Sequence, residues 1–97
     1  MDIKERADGD AIVLDLAGKM ILGDGDEILK SKVNSLVAQG HKNIVLNLAE
    51  VPYVDSAGLG EMVRAYMTVT RAGGSLKLAN PTKRITDLLA ITKLNIF

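Results

Sequence analysis

The sequence lacks cysteine and tryptophan, and it contains only three aromatic residues and two prolines. Without cysteine there is no disulfide, no thiolate metal site and no thiol nucleophile, which is compatible with the cytosol. With so few aromatic residues, the core has to be built from aliphatic side chains. At 97 residues the chain is long enough to bury one such core without a disulfide bond or a structural metal ion. We therefore predict a single domain over residues 1–97.

The chain also lacks a net charge, because 12 basic residues balance 12 acidic ones. The basic excess that is typical of nucleic-acid binders is missing, so we predict no nucleic-acid partner. No apolar run approaches the roughly 20 residues that a membrane helix needs, which predicts no membrane insertion. Asp2 and Glu5 lie where a signal peptide would be basic and then apolar. Together these features predict a cytoplasmic protein.

Apolar periodicity predicts alternating strands and helices. Strands are predicted over residues 2–7, 11–17, 43–49 and 75–79, and a short strand from Met20 to Leu22 could add a fifth. The third of these, near-continuously apolar, is predicted to be buried on both faces. Helices are predicted from Asp24, which with Glu27 resembles a capping box, to Gly40, from about Ala57 to Ala72, and from Asn80-Pro81 to Leu94. This order predicts an α/β fold with a mixed four- to five-stranded sheet and helices packed against it.

Helical spacing also predicts which side of the second helix is buried. The predicted buried side consists of Leu59, Met62, Val63, Tyr66, Met67 and Thr70. Glu61 is predicted to face solvent on the opposite side. Met62 and Met67 are therefore interpreted as core residues, not as a pair of sulfur ligands.

The start of this helix, Asp55-Ser-Ala-Gly-Leu-Gly60, contains two glycines. Each costs about 1 kcal/mol relative to alanine inside a helix. A serine before a helix is most often only an N-cap, but capping does not require Gly58 and Gly60. Their bare Cα atoms would let another backbone or a phosphate approach the helix start. The stretch therefore suggests a docking site.

Catalytic and nucleotide-binding motifs are incomplete around Ser56. A nucleophile elbow would need glycine where Val54 stands, and a dinucleotide-binding loop would need glycine where Val63 stands. The only histidine, His41, lies in a polar turn. We therefore predict no catalytic residue, no metal site and no cofactor. Three interpretations of Ser56 stay open: a helix cap, part of a nucleotide- or anion-sensing site, and a serine that receives a phosphate.

A phosphate would change this surface strongly. It adds about 1.5 to 2 negative charges, which beside Asp55 concentrates close to three on two adjacent residues. A helix start can tolerate the group, but a partner docked on the unmodified surface would pay several kcal/mol to desolvate it. A penalty of about 4 kcal/mol is close to a thousandfold loss of affinity, which is sufficient for a switch.

Residues 43–60, NIVLNLAEVPYVDSAGLG, resemble the signature of STAS domains, in particular that of the bacterial anti-sigma factor antagonists. The resemblance extends over nearly the whole chain. It implies that Ser56 is phosphorylated by an anti-sigma factor that is itself a serine kinase, and that the unmodified form binds this kinase and frees the sigma factor. A phosphatase would restore the unmodified form. ATP and magnesium would belong to the kinase.

The resemblance also implies a partner-binding surface at the loop and first turns of the second helix. Its predicted residues are Tyr53, Asp55, Ser56, Ala57, Gly58, Leu59, Gly60 and Glu61. The acid beside the hydroxyl favours a kinase substrate over an anion sensor. It also favours a kinase substrate over a docking subunit of a signalling scaffold or of a membrane-transport ATPase complex.

Two features depart from the family pattern. Asn47 stands where the family usually carries aspartate, so the field beside Ser56 is expected to differ. The sequence ends at Phe97, where the family continues into a further helix, so this helix is expected to be missing.

Overall fold

The computed structural model describes the backbone of residues 1–92 and the side chains of residues 1–87. Strands and helices alternate along this part of the chain after an initial hairpin. The strands are β1 (Asp2–Asp8), β2 (Ala11–Ala17), β3 (Asn43–Glu50) and β4 (Ser75–Ala79). The helices are α1 (Gly25–Ala38), α2 (Ser56–Arg71) and α3 (Lys83–Thr92). The predicted α/β class is confirmed, whereas the predicted end of the last helix at Leu94 lies outside the described residues.

The four strands form one mixed sheet in the order β1-β2-β3-β4. β1 and β2 pair antiparallel through a tight hairpin, in which Gly9 adopts a φ of 63°. The pairs β2–β3 and β3–β4 are parallel. The predicted strand from Met20 to Leu22 is wrong for the described residues, because only a single bridge joins Met20 to Val54. That bridge nevertheless positions the candidate functional site described below.

Apolar side chains form continuous rows across one face of the sheet. The register places Ile12 beside Ile44 and Leu76, and Leu14 beside Leu46. These rows share one buried cluster with residues of α1 and α2, namely Leu29, Val33, Leu36, Met62, Ala65 and Val69. The two helices also contact each other. Both crossover helices therefore cover the same face of the sheet.

The prediction that β3 is buried on both faces is wrong. Ile44, Leu46 and Leu48 are buried, but the alternating residues Val45 and Asn47 are only half-buried. The reason is that α1 and α2 lie together on one side and leave the opposite face of β3 without the cover of either helix.

The ends of α1 follow the prediction only in part. The helix ends before Gly40, whose φ of 90° suits glycine. At the start, Asp24 is the N-cap residue, but its carboxylate makes no capping hydrogen bond. It accepts from the amino group of Met1 at 3.2 Å instead. The predicted capping box with Glu27 is therefore wrong.

The start of α3 also differs from the prediction. Asn80 adopts a left-handed φ of 52° and Pro81 precedes the helix. The hydroxyl of Thr82 accepts from the backbone N–H of Ile85 at 3.3 Å, as an N-cap does. The cap is therefore Thr82, and Asn80 is free to bond to β3.

The buried side of α2 is rotated relative to the prediction. The buried residues are Gly58, Glu61, Met62, Ala65 and Val69. Met67 is 42% exposed, so its assignment to the core is wrong, and Glu61, expected in solvent, is only 5% exposed. None of the described helices is long and apolar enough to cross a membrane.

Candidate functional site around Ser56

The loop between β3 and α2 is held in place by the segment around Met20. The N–H of Met20 donates to the carbonyl of Tyr53 at 2.9 Å, and the N–H of Asp55 donates to the carbonyl of Met20 at 3.2 Å. The side chains of Met20, Val51 and Val54 are buried below these bonds. The loop is therefore fixed to the core by backbone and side chain together, although it has no regular secondary structure.

Asp55 is the N-cap residue of α2. One carboxylate oxygen accepts from the N–H of Gly58 at 2.8 Å, and the other accepts from the N–H of Leu22 at 3.0 Å. These two bonds, the Gly58 one foremost, lower the pKa of Asp55 from its ordinary value, so the carboxylate stays ionised. The interpretation of Ser56 as the helix cap is therefore wrong, because Asp55 makes the cap, and this acid has a structural use whether or not Ser56 is modified. Because Asp55 is needed as the helix cap, its position beside Ser56 is not independent evidence that Ser56 is a kinase substrate.

Gly58 is required by the packing of the fold itself. A Cβ atom built on Gly58 would overlap the carbonyl oxygen of Met20, and it would lie 2.8 Å from that residue's carbonyl carbon. The backbone that approaches this bare Cα therefore belongs to the same chain. Gly58 is buried, so it does not lie on the surface that a partner would meet.

Ser56 is the first residue of α2, and its side chain is exposed. No described side chain or backbone group hydrogen-bonds its hydroxyl. The hydroxyl is consequently accessible to an enzyme, while the hydrogen bonds of the preceding loop to Met20 and the Asp55 cap position the backbone that carries it. Its neighbours Ala57 and Leu59 are half-buried and lie beside it on the same turn.

Other exposed residues belong to the segments that meet at the start of α2. Leu22, whose N–H is bonded to Asp55, has 74% of its surface exposed, and Tyr53 has 38% exposed. Gly60 lies one turn beyond Ser56 and is half-exposed. We call Leu22, Tyr53, Ser56 and Gly60 together the Ser56 surface.

Sequence reasoning missed two contributors to this region. Leu22 was expected in a strand, although glycine beside it is equally typical of a loop that exposes a large apolar residue. The guanidinium of Arg84, at the start of α3, lies 5.0 Å from the centre of the Tyr53 ring. A cation over an aromatic face is attracted by the ring. Nothing in the local sequence connects Arg84 to Tyr53, so only the fold reveals this contact.

Asn47 belongs to a chain of polar side chains on the face of the sheet opposite α1 and α2. Its amide nitrogen donates to Asp15 at 2.8 Å, and its amide oxygen accepts from Asn80 at 3.1 Å. Arg6 donates to the same Asp15 carboxylate at 2.7 Å. Arg6 first and Asn47 second lower the pKa of Asp15. An acid is thus present on this face, but on β2 and not on β3.

The described residues show no other obvious chemical centre. No group of three or more histidine, cysteine, aspartate or glutamate side chains among them could hold a metal ion. A shallow depression of about 450 Å³ runs along the outside of α1 and is lined by Glu27, Ile28, Ser31, Lys32 and Ser35. None of these residues belongs to the Ser56 surface.

Comparison with known proteins assigns this arrangement to a family. A model of the STAS domain matches residues 2–97. The anti-sigma-B factor antagonist of Bacillus subtilis is 34% identical over 94 residues, which is 97% of this chain and 83% of that protein.

Two solved structures share the fold. A putative anti-sigma factor antagonist from Thermotoga maritima matches with a TM-score of 0.82 at 22% identity, over 96% of this chain and 80% of that one. The Bacillus cell fate determinant SpoIIAA in its phosphorylated form matches with a TM-score of 0.78 at 19% identity, over 96% and 85% of the two chains.

Proposed function

Because this chain belongs to the STAS domain family, we propose that it is an anti-sigma factor antagonist that is switched by phosphorylation of Ser56. In the unmodified form it binds an anti-sigma factor kinase through the Ser56 surface and thereby releases a sigma factor. Phosphorylation of Ser56 ends this binding. The observation that carries the proposal is the Ser56 hydroxyl, exposed and unbonded among the described residues, at the start of α2 and directly after a loop that hydrogen bonds join to Met20. Similarity to an anti-sigma-B factor antagonist over 97% of the chain supports it.

The geometry suits a switch more than a catalyst. Leu22 and Tyr53 give the unmodified surface apolar area that a partner can bury. A phosphate on Ser56 would put about 1.5 to 2 negative charges next to the ionised Asp55. Since the carboxylate of Asp55 already accepts two backbone N–H bonds, it has little freedom to move away. The added charge is therefore expected to weaken binding of the partner and not to rearrange the start of α2.

In this scheme the chain is a substrate and a binding partner, not an enzyme. The kinase supplies ATP and magnesium, and a phosphatase returns Ser56 to its unmodified state. All of these exchanges take place in the cytoplasm, without nucleic acid or membrane insertion.

The test is phosphorylation of the purified protein by a candidate anti-sigma factor kinase encoded near its gene. With Mg-ATP we expect a mass gain of one phosphate in the wild type and none in Ser56→Ala. Ser31→Ala is the matched control, because Ser31 is also exposed on a helix but lies outside the Ser56 surface. The phosphorylated protein should bind the kinase at least tenfold more weakly than the unmodified protein, about 1.4 kcal/mol.

Two results would contradict the proposal in different ways. Equal phosphorylation of Ser56→Ala and wild type would remove Ser56 as the acceptor. Binding that phosphorylation leaves unchanged would instead favour a constitutive docking subunit, in which the Ser56 surface assembles with a larger scaffold or transport complex.

A further inference from the structure

Among the residues whose side chains the structure describes, none requires position 60 to be glycine. Unlike Gly58, it has open space beside it, and a Cβ atom built there would meet only the guanidinium of Arg64, at 3.8 and 3.9 Å from its two terminal nitrogens. These are ordinary van der Waals distances. Gly60 therefore destabilises the helix without a packing role among the described residues. This suggests that its bare Cα leaves room for a binding partner.

Glu61 and Arg64 form an ion pair beside this glycine. The Glu61 side chain is 6% exposed, while that of Arg64 is 64% exposed, and Nε of Arg64 donates to Glu61 at 2.9 Å. A buried carboxylate needs such a partner. The bond uses Nε and leaves the two terminal nitrogens over Gly60, where no described residue pairs with them. The buried Glu61 thus orients an exposed guanidinium fork.

We propose that this fork, with Arg64 held by Glu61 over the bare Gly60, binds a carboxylate of the anti-sigma factor. The inference rests on the proposed function and deepens it, because it adds Arg64 to the docking surface and names the chemistry of its partner. Planar guanidinium groups bind carboxylates through two parallel hydrogen bonds, and fixing the fork beforehand reduces the entropy lost on binding. Glu61 is then a positioning residue, which explains why a residue expected at the interface is buried.

A partner carboxylate bound to Arg64 would also strengthen the effect of phosphorylating Ser56. Gly60 lies about 6 Å along the helix axis from Ser56, so the transferred phosphate reaches a hydroxyl one turn away from the fork. A partner carboxylate on Arg64 would be close to the new phosphate and to Asp55, and all three groups are negative. The same carboxylate that helps docking therefore increases repulsion after phosphorylation.

The test measures affinity of unphosphorylated variants for the anti-sigma factor. We expect Arg64→Gln to bind at least tenfold more weakly. Arg64→Lys should lose at least fivefold, because one ammonium cannot bond to Glu61 and also present a fork. Arg71→Gln is the matched control, since Arg71 is exposed on the same helix two turns further on, and it should bind like wild type.

A charge exchange identifies the partner group. Arg64→Asp should lose binding, and replacing one acidic residue of the anti-sigma factor by arginine should restore it. If wild type binds and Arg64→Gln binds equally well, the inference is wrong while the proposed function stands. If wild type binds no anti-sigma factor, the proposed function itself fails. A third result would also overturn the inference: Arg64→Gln binds more weakly, no substitution in the anti-sigma factor restores binding to Arg64→Asp, and added nucleotide displaces the wild-type protein from the anti-sigma factor. The fork would then bind a phosphate.

Discussion

At the scale of single residues, the two glycines of α2 are used differently. Gly58 faces inward and packs against the carbonyl of Met20, whereas Gly60 faces outward beside Arg64. The first is needed by the fold, and the second leaves a surface bare at a cost to the helix. Substitution of Gly58 should therefore affect mainly the stability of the fold, and substitution of Gly60 mainly the binding surface.

We predict opposite effects of the same substitution. Gly58→Ala should lower the free energy of unfolding by about 2 kcal/mol or more, because its methyl group collides with backbone that cannot rotate away. Gly60→Ala should raise it by about 0.5 to 1 kcal/mol, since the methyl group fits and alanine favours helix. Urea unfolding followed by circular dichroism measures both. Equal changes of the same sign would contradict the assignment of the two roles.

At the scale of strands and helices, hydrogen bonds between polar side chains connect neighbouring strands on the face of the sheet opposite α1 and α2. The connection runs from Arg6 on β1 through Asp15 and Asn47 to Asn80 after β4. Asp15 and Asn47 are direct neighbours in the parallel register. An amide at position 47 can donate to the acid on β2, which a carboxylate cannot do, so Asn47 is matched to Asp15.

The substitution Asn47→Asp should therefore destabilise this protein. In Asn47→Asp a donor is lost and two carboxylates lie side by side, so we expect the melting temperature at pH 7 to fall by several degrees. The deficit should shrink as the pH falls towards 4, because protonation of one carboxylate removes the repulsion. Asn34→Asp adds the same charge at an exposed position of α1 and is the control. A deficit that is independent of pH would show that repulsion is not its cause.

The sequence predicted the strands and helices well, because each is defined by local periodicity and turn residues. The four strands agree within a residue or two, and glycine ends α1 as expected. The failures depend on contacts between distant residues. The cap of α2 is Asp55, whose carboxylate also accepts from the N–H of the distant Leu22, and Gly58 on the buried side of α2 packs against the equally distant Met20. Glu61 is buried because Arg64 accompanies it.

At the scale of the whole molecule, the balanced charge leaves individual acids to determine how stability depends on pH. Within the described residues, the pKa values of Asp15 and Asp55 are lowered in the folded state. Their ionised forms therefore stabilise the fold above about pH 4, near the unfolded value, and this contribution is lost as the pH falls through the lower folded pKa. In this acid range the unfolded chain binds more protons, so stability decreases with falling pH.

Asp55 links the start of α2 to the Met20 segment, so its contribution can be isolated. Asp55→Asn keeps one amide oxygen that can accept from the N–H of Gly58, but it loses the charge and the second oxygen that accepts from the N–H of Leu22. We expect it to melt below wild type at pH 7, and the difference to decrease steadily below about pH 4, where wild type loses its own carboxylate. Asp2→Asn, in an exposed strand position without a side-chain hydrogen bond to described residues, should show a small difference at every pH. A gap between Asp55→Asn and wild type that stays constant from pH 7 to pH 2 would mean that the charge of Asp55 does not stabilise the helix start, and that the loop presenting Ser56 is held by Met20 alone.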